Sequence, residues 1–179
     1  MTQDAGTWRF DPRPREMDRA AFLERFGGVY EHFPEIAESV FQRGLTAADD
    51  SPAGLAAAMA TAAARLSEEE KLRLIRNHPD LAGRAAIAGE LTAASTSEQA
   101  GAGLDRCTPE EYRRFQELND AYKEKFGFPF ILAVGGRTRQ EILAAFEQRI
   151  KNDRETELRT ALEQIDRIAL LRLERLANT

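Results

Sequence analysis

The 179-residue chain has a single cysteine, Cys107, and only two histidines, His32 and His78. One cysteine excludes an intramolecular disulfide and any metal site built from several thiolates. Two histidines make the search for a general acid or base near neutral pH a short one. No apolar run approaches the roughly 18–20 residues that span a bilayer. No hydrophobic signal core opens the chain, and its last residues, Ala177-Asn178-Thr179, are not a peroxisomal address. Basic residues do not dominate: 25 Lys plus Arg stand against 30 Asp plus Glu, a formal charge of −5. That balance argues against a nucleic-acid-binding surface. Sustained strand alternation, repeats and long linkers are missing too. The chain reads as a protein of the reducing cytoplasm, with no membrane and no nucleic acid among its partners.

What is present is helix punctuation. Asp18 can cap a helix through about Phe26, ended by Gly27-Gly28, and Pro34 can open another that reaches Gly44. Ser51-Pro52 heads an alanine-rich stretch to Arg65. Ser67-Glu68-Glu69-Glu70 is a capping box, in which the serine hydroxyl and the glutamate carboxylate satisfy each other's free backbone amides. Thr108-Pro109-Glu110-Glu111 and Thr138-Arg139-Gln140-Glu141 repeat the signal, and a long last helix starts near Asp153. Apolar residues follow each cap at helical spacing, as in Tyr112, Phe115, Leu118 or Asn119, and Tyr122. The expectation is an all-α, single-domain helical bundle of about eight helices over residues 16–179, with a frayed start at 1–15.

Two segments resist the helical reading. Asn77 to Asp80 breaks a helix, because Pro79 restricts His78 to extended backbone and could itself start the next helix. Residues 126–136, Phe-Gly-Phe-Pro-Phe-Ile-Leu-Ala-Val-Gly-Gly, are too apolar for the surface and too rich in proline and glycine for a regular helix. A buried non-helical loop must place its amides and carbonyls somewhere, and a bound polar ligand is one partner for them.

Few residues could carry chemistry. H-E-x-x-H, a phosphate loop and G-x-S-x-G are absent. His78, at the break, is placed to project into a cleft, although a histidine packed at a turn fits the same residues. His32 reads as structural, as does Cys107 just ahead of a helix. Ser95-Thr96-Ser97-Glu98 has the spacing of an N-cap at Ser95 closed by Glu98, and a helix start also offers free amides to an anionic ligand. Arg172 falls on the apolar stripe of the last helix, where a guanidinium needs a carboxylate, carbonyls or a bound anion. These residues define an all-α domain with a polar His/Glu/Arg set and no reaction.

The combination of motifs goes further. Asn77-His78-Pro79-Asp80-Leu81-Ala82-Gly83, then Ser95-x-x-Glu98-Gln99, then Asn119-x-x-Tyr122-x-x-Lys125-Phe126-Gly127-Phe128-Pro129-Phe130, and finally Ile168-Ala169-Leu170-Leu171-Arg172-Leu173, occur in this order. Together they resemble the 2-oxo-4-hydroxy-4-carboxy-5-ureidoimidazoline (OHCU) decarboxylase family of uric acid degradation. The resemblance implies an all-α lyase that needs no metal or other cofactor, commonly a homodimer, releasing CO2 from OHCU to form (S)-allantoin. It assigns catalysis to His78, Glu98 and Arg172. It assigns substrate contacts to Pro79, Ser95, Thr96, Ser97 and Gln99, and to the backbone of Phe130, Ile131, Leu132, Ala133 and Val134. Another ureide-pathway enzyme such as a hydrolase, or a non-catalytic helical ligand-binding module, are the alternatives. The chain departs from the family where members often read Tyr-Glu-His-Ser-Pro-Trp and it has Tyr30-Glu31-His32-Phe33-Pro34-Glu35.

Overall fold

Caps and prolines decide where each helix begins. In the computed structural model, which describes residues 8–83 and 88–179, the Asp18 carboxylate accepts from the Ala21 amide at 2.8 Å and opens α1 (Arg19–Phe26). Helix α2 (Glu35–Arg43) follows Pro34. It stops at Gly44, whose φ of +94° suits only a residue without a Cβ. Ser51 caps α3 (Pro52–Ala64), and the Ser67/Glu70 box closes reciprocally, at 3.2 and 2.8 Å, over α4 (Glu68–Arg76). Then come α5 (Ala93–Gly101), α6 (Pro109–Phe126) behind the Thr108 cap, α7 (Arg139–Arg149) behind the Thr138/Glu141 box, and α8 (Arg154–Ala177). Among the described residues these eight helices and three short 3-10 turns make up the regular structure, and there is no strand. The fold is all-α. Among the same residues no helix is long and apolar enough to cross a membrane.

The chain divides into two compact units. The first comprises residues 1–74 and 166–179. In it α1 packs on α2 and α2 on α3, burying Phe22, Phe26, Ile36, Val40, Leu55 and Met59. Part of the stretch expected to fray is anchored here. The Phe10 ring meets Phe26 edge-on at 5.0 Å, its amide donates to the Asp50 carbonyl at 2.9 Å, and Arg15 pairs with the buried Asp50 carboxylate at 2.9 Å. A buried aromatic side chain is worth about 1.5–3 kcal/mol over its exposed state, which opposes fraying. Residues 1–7, the rest of that stretch, lie outside the described residues. The departure at Phe33 and Glu35 is a matched pair: Arg73 lies 4.1 Å over the fully buried Phe33 ring and bonds Glu35 at 2.9 Å.

The second unit is residues 75–165. Helix α6 presents Phe115, Leu118, Asn119, Tyr122 and Phe126 to its core; of the stripe expected from the spacing, Tyr112 is only half-buried, and Phe126 extends it by one turn. Phe130 stacks on Phe146 of α7 with centroids 3.9 Å apart, and Tyr122 meets both rings edge-on. Below them lies the fully buried carboxylate of Glu157, which accepts from the Tyr122 hydroxyl at 2.6 Å, Arg149 Nε at 2.9 Å and Asn152 Nδ2 at 3.0 Å. Three donors, one of them a guanidinium, offset the water that a buried carboxylate gives up. Burial and the bond to Glu157 together push the Tyr122 hydroxyl well above the usual phenol range.

Candidate active site

Helix α4 ends at Arg76 because Pro79, close behind it, cannot donate the next backbone bond and the His78 amide already closes a turn on the Ile75 carbonyl at 3.1 Å. His78 is 7% exposed. It lines a cavity of about 360 Å³ together with Arg76, Asp80, Lys123, Gly127, Phe128 and Pro129. Pro79 opens no helix directly: Asp80 to Gly83 are turn and irregular backbone, and residues 84–87 lie outside the described residues.

That irregular stretch is held from two helices. Gln99 of α5 donates to the Asp80 carbonyl at 3.2 Å and accepts from the Ala82 amide at 3.0 Å. From α6, Lys123 pairs with the Asp80 carboxylate at 2.7 Å, Asn119 donates to the Leu81 carbonyl at 2.9 Å and Gln116 to the Ala82 carbonyl at 2.6 Å. The side-chain amide of Gln99, assigned to substrate by resemblance, thus spends both its ends on the histidine segment.

Helix α5 corrects one local reading. Its N-cap is Thr92, whose hydroxyl accepts from the Ser95 amide at 3.2 Å, so Ser95 lies inside the first turn and Glu98 beyond it. The helix starts one turn earlier than the Ser95/Glu98 spacing suggests, because a threonine three residues upstream meets the same backbone requirement. Ser95 and Gln99 are buried, Glu98 is half-buried, and Thr96 and Ser97 are exposed. Thr96 and Gln99 line a second cavity, of about 570 Å³, with Ala82, Leu104, Cys107 and Tyr112 among its walls. His78 lines the first of these cavities and Thr96 and Gln99 the second, and the backbone of 80–82 next to His78 is tied to α5 through Gln99. Burial pushes the Cys107 thiol up, away from the thiolate a nucleophile needs.

The loop at 126–134 has found partners inside the protein. Its carbonyls at Phe126, Gly127, Ile131 and Ala133 accept from Arg154, Arg76, Arg149 and Arg137, and the Ala133 amide donates to Gln164 at 3.0 Å. Among the described residues none accepts from the amides of Phe130, Ile131, Leu132 or Val134.

Arg172 belongs to the first unit. It is 5% exposed and donates from Nη1 to Glu31 at 2.7 Å and to the Val29 carbonyl at 3.3 Å. Glu31, 2% exposed, is the carboxylate that a guanidinium on an apolar stripe requires. Sequence reasoning did not find it, since it stands between Tyr30 and His32 with no periodic pattern to mark it as buried. Its neighbour Tyr30 donates to Asp166 at 2.7 Å, while His32 is exposed with φ +49°.

Comparison with known proteins extends these observations to the whole chain. Residues 15–174 match the family model described as OHCU decarboxylase. The chain is 42% identical over 161 residues to the 2-oxo-4-hydroxy-4-carboxy-5-ureidoimidazoline decarboxylase of Halalkalicoccus jeotgali, covering 90% of this chain and 88% of that protein. It is 42% identical over 158 residues to the protein of the same name from Haloferax volcanii, covering 88% and 89%. Among solved structures, (S)-allantoin synthase superposes with a TM-score of 0.72 at 31% identity, over 91% of this chain and 52% of that one. The matched stretch takes in the His78 break, helix α5, the 126–134 loop and Arg172, in relatives of about the same length, and so the chain belongs to the OHCU decarboxylase family.

Proposed function

We propose that this protein decarboxylates OHCU to (S)-allantoin in uric acid degradation, and that it works as a homodimer in the cytoplasm. The observation that carries the reading is the family match over residues 15–174, which includes every motif on which the resemblance rests.

The substrate's own structure supplies the electron sink. Its carboxylate sits on a ring carbon that also bears a hydroxyl and adjoins a C=N bond, so it is in effect a β-imino acid. When the bond to the carboxylate breaks, CO2 leaves and the electron pair forms a C=C bond to the neighbouring carbon. The displaced C=N pair takes a proton at nitrogen. The enol then gives up its hydroxyl proton to become the carbonyl, while a proton adds to one face of the neighbouring carbon. That last step sets the S configuration. No metal or organic cofactor has to hold the charge.

His78 is proposed to exchange a proton with the substrate's hydroxyl or imine and assist collapse to the carbonyl. Glu98 orients the histidine or the hydroxyl and ureido groups, and is one route for the proton that fixes the stereocentre. Arg172 holds an anionic or carbonyl oxygen, where a charge-assisted bond is worth about 1.5–3 kcal/mol. Pro79, Ser95 to Ser97 and Gln99 shape the substrate contacts, and the backbone of Phe130 to Val134 reads the ring's polar edge.

The test generates OHCU in place from urate with urate oxidase and hydroxyisourate hydrolase. Loss of its optical signal well above the spontaneous rate, with build-up of (S)-allantoin followed by circular dichroism, is the expected result. Decay at the spontaneous rate to racemic allantoin removes the activity; release of ammonia or urea in its place indicates a hydrolase. His78→Asn is expected to lower turnover by about 10²–10⁴-fold, the usual contribution of general acid–base catalysis, with its helical circular dichroism unchanged.

A further inference from the structure

The segment that carries His78 has no regular secondary structure, yet Leu81, Ala82 and Gly83 are buried. Buried carbonyls without a helix or sheet need side-chain donors. Helix α6 provides them in register: Lys123, Asn119 and Gln116, spaced four and three residues apart and therefore on one face, bond Asp80, Leu81 and Ala82 in turn. The helix runs antiparallel to the segment and matches it residue for residue.

Asn119 stands in the middle of this row and is 2% exposed. Its Nδ2 donates to Leu81, while its buried Oδ1 has no hydrogen-bond partner among the described residues. A buried acceptor left unpaired is costly. An apolar residue would spare that cost and suit the stripe between Phe115 and Tyr122, so the donor end is what the position uses. Ala82 adds a second sign of constraint. Its φ is +49°, a left-handed conformation that a residue with a Cβ keeps only where its surroundings over-determine it. The bonds from Gln99 and Gln116 to the Ala82 amide and carbonyl are such surroundings. Between this fixed point and His78 lies Pro79, whose ring locks φ, so little freedom is left to relax the histidine's position.

We propose that Asn119, supported by Gln116, is a positioning residue for the reaction: it fixes the 80–82 backbone and through it the placement of His78. The inference rests on the decarboxylase reading and on the part given there to His78. Neither amide touches the reacting atoms in this scheme.

The experiment measures OHCU turnover for the intact protein and for Asn119→Ala, Asn119→Asp and Gln116→Ala, each first shown to be folded by circular dichroism. Asn119→Ala is expected to lower kcat by about 10–100-fold with KM within about threefold, since a displaced catalytic group costs rate rather than binding. Asn119→Asp supplies the signature that a packing role would not give. Ionised, its carboxylate faces the Leu81 carbonyl and repels it; protonated, its hydroxyl donates where the amide did. Its turnover relative to the unsubstituted protein should therefore rise by about tenfold or more as pH falls from 8.5 to 5.5, the ratio cancelling any titration the two proteins share. A flat ratio, or kcat within twofold in Asn119→Ala, overturns the proposal. If Asn119→Ala does not fold, Gln116→Ala, at a half-buried site, decides on the same kcat criterion. An unsubstituted protein that leaves OHCU at its spontaneous rate overturns the activity itself, an outcome visible before any variant is made.

Discussion

The two irregular segments of the second unit are held by opposite means. Residues 126–134 bring their own driving force: Phe126, Phe128, Phe130, Ile131 and Leu132 are buried, and the rings of Phe130, Phe146 and Tyr122 pack together. Arginines need only tie off the carbonyls. Residues 77–83 bury much less apolar surface, and their position depends on directional bonds from Gln99, Gln116, Asn119 and Lys123. Hydrophobic burial is non-directional and tolerates small shifts, whereas a neutral hydrogen bond is worth about 0.5–1.5 kcal/mol and fixes an atom's place. The contrast teaches that damage to the first seat should appear as lost stability, and damage to the second as lost rate.

The largest expected effect tests the apolar seat. Glu157→Ala strips from Arg149 the carboxylate it pairs with, while the same guanidinium also donates to the Ile131 carbonyl. An uncompensated buried cation costs about 3–5 kcal/mol. Urea unfolding should register that loss, while turnover of the protein that remains folded stays near normal; a drop under about 1 kcal/mol would mean the rings alone hold the loop. The substitutions at Asn119 break the comparison from the other side, with rate lost in folded protein.

A smaller effect sharpens it with pH. Burial, then the bond to Glu157, raise the Tyr122 hydroxyl above its unfolded value. Its contribution is therefore fully present below the unfolded phenol pKa of about 10 and is lost as pH rises beyond it, at about 1.4 kcal/mol per pH unit. The Tyr122 phenolate should appear in the ultraviolet only together with loss of helical circular dichroism, and Tyr122→Phe should weaken the alkaline fall in stability. A phenolate signal from Tyr122 in fully helical protein would place its hydroxyl in contact with water. Smallest is Thr92→Ala, which removes the cap of the helix carrying Gln99 and should cost about 1 kcal/mol in thermal unfolding. An unchanged midpoint would show that tertiary contacts alone set where α5 begins.

Local rules were legible because they act within one turn. The Ser67/Glu70 and Thr138/Glu141 boxes form as their spacing predicts, and Pro79 marks the break that exposes His78 to a cavity. Ser95 shows the limit of the same rule: two hydroxyl residues three apart, Thr92 and Ser95, both satisfy it, and nothing within the turn chooses between them. Asn119 left a trace, a polar residue on an apolar stripe, but its partner at Leu81 is 38 positions away. Arg172 left a stronger one, and its carboxylate at Glu31 lies 141 positions away.

By itself the sequence determined that the chain is helical, where most helices start and stop, which two segments cannot be helix, and which family motifs it carries. Those follow from backbone stereochemistry and from the period of apolar side chains, both short-range. The tertiary structure alone decided which side chains would satisfy the buried polar groups: Gln116 and Asn119 for the histidine segment, Arg149 and Glu157 for the aromatic loop, Glu31 for Arg172. Each of those choices requires two groups to leave water together, and only the folded chain brings them to within bonding distance.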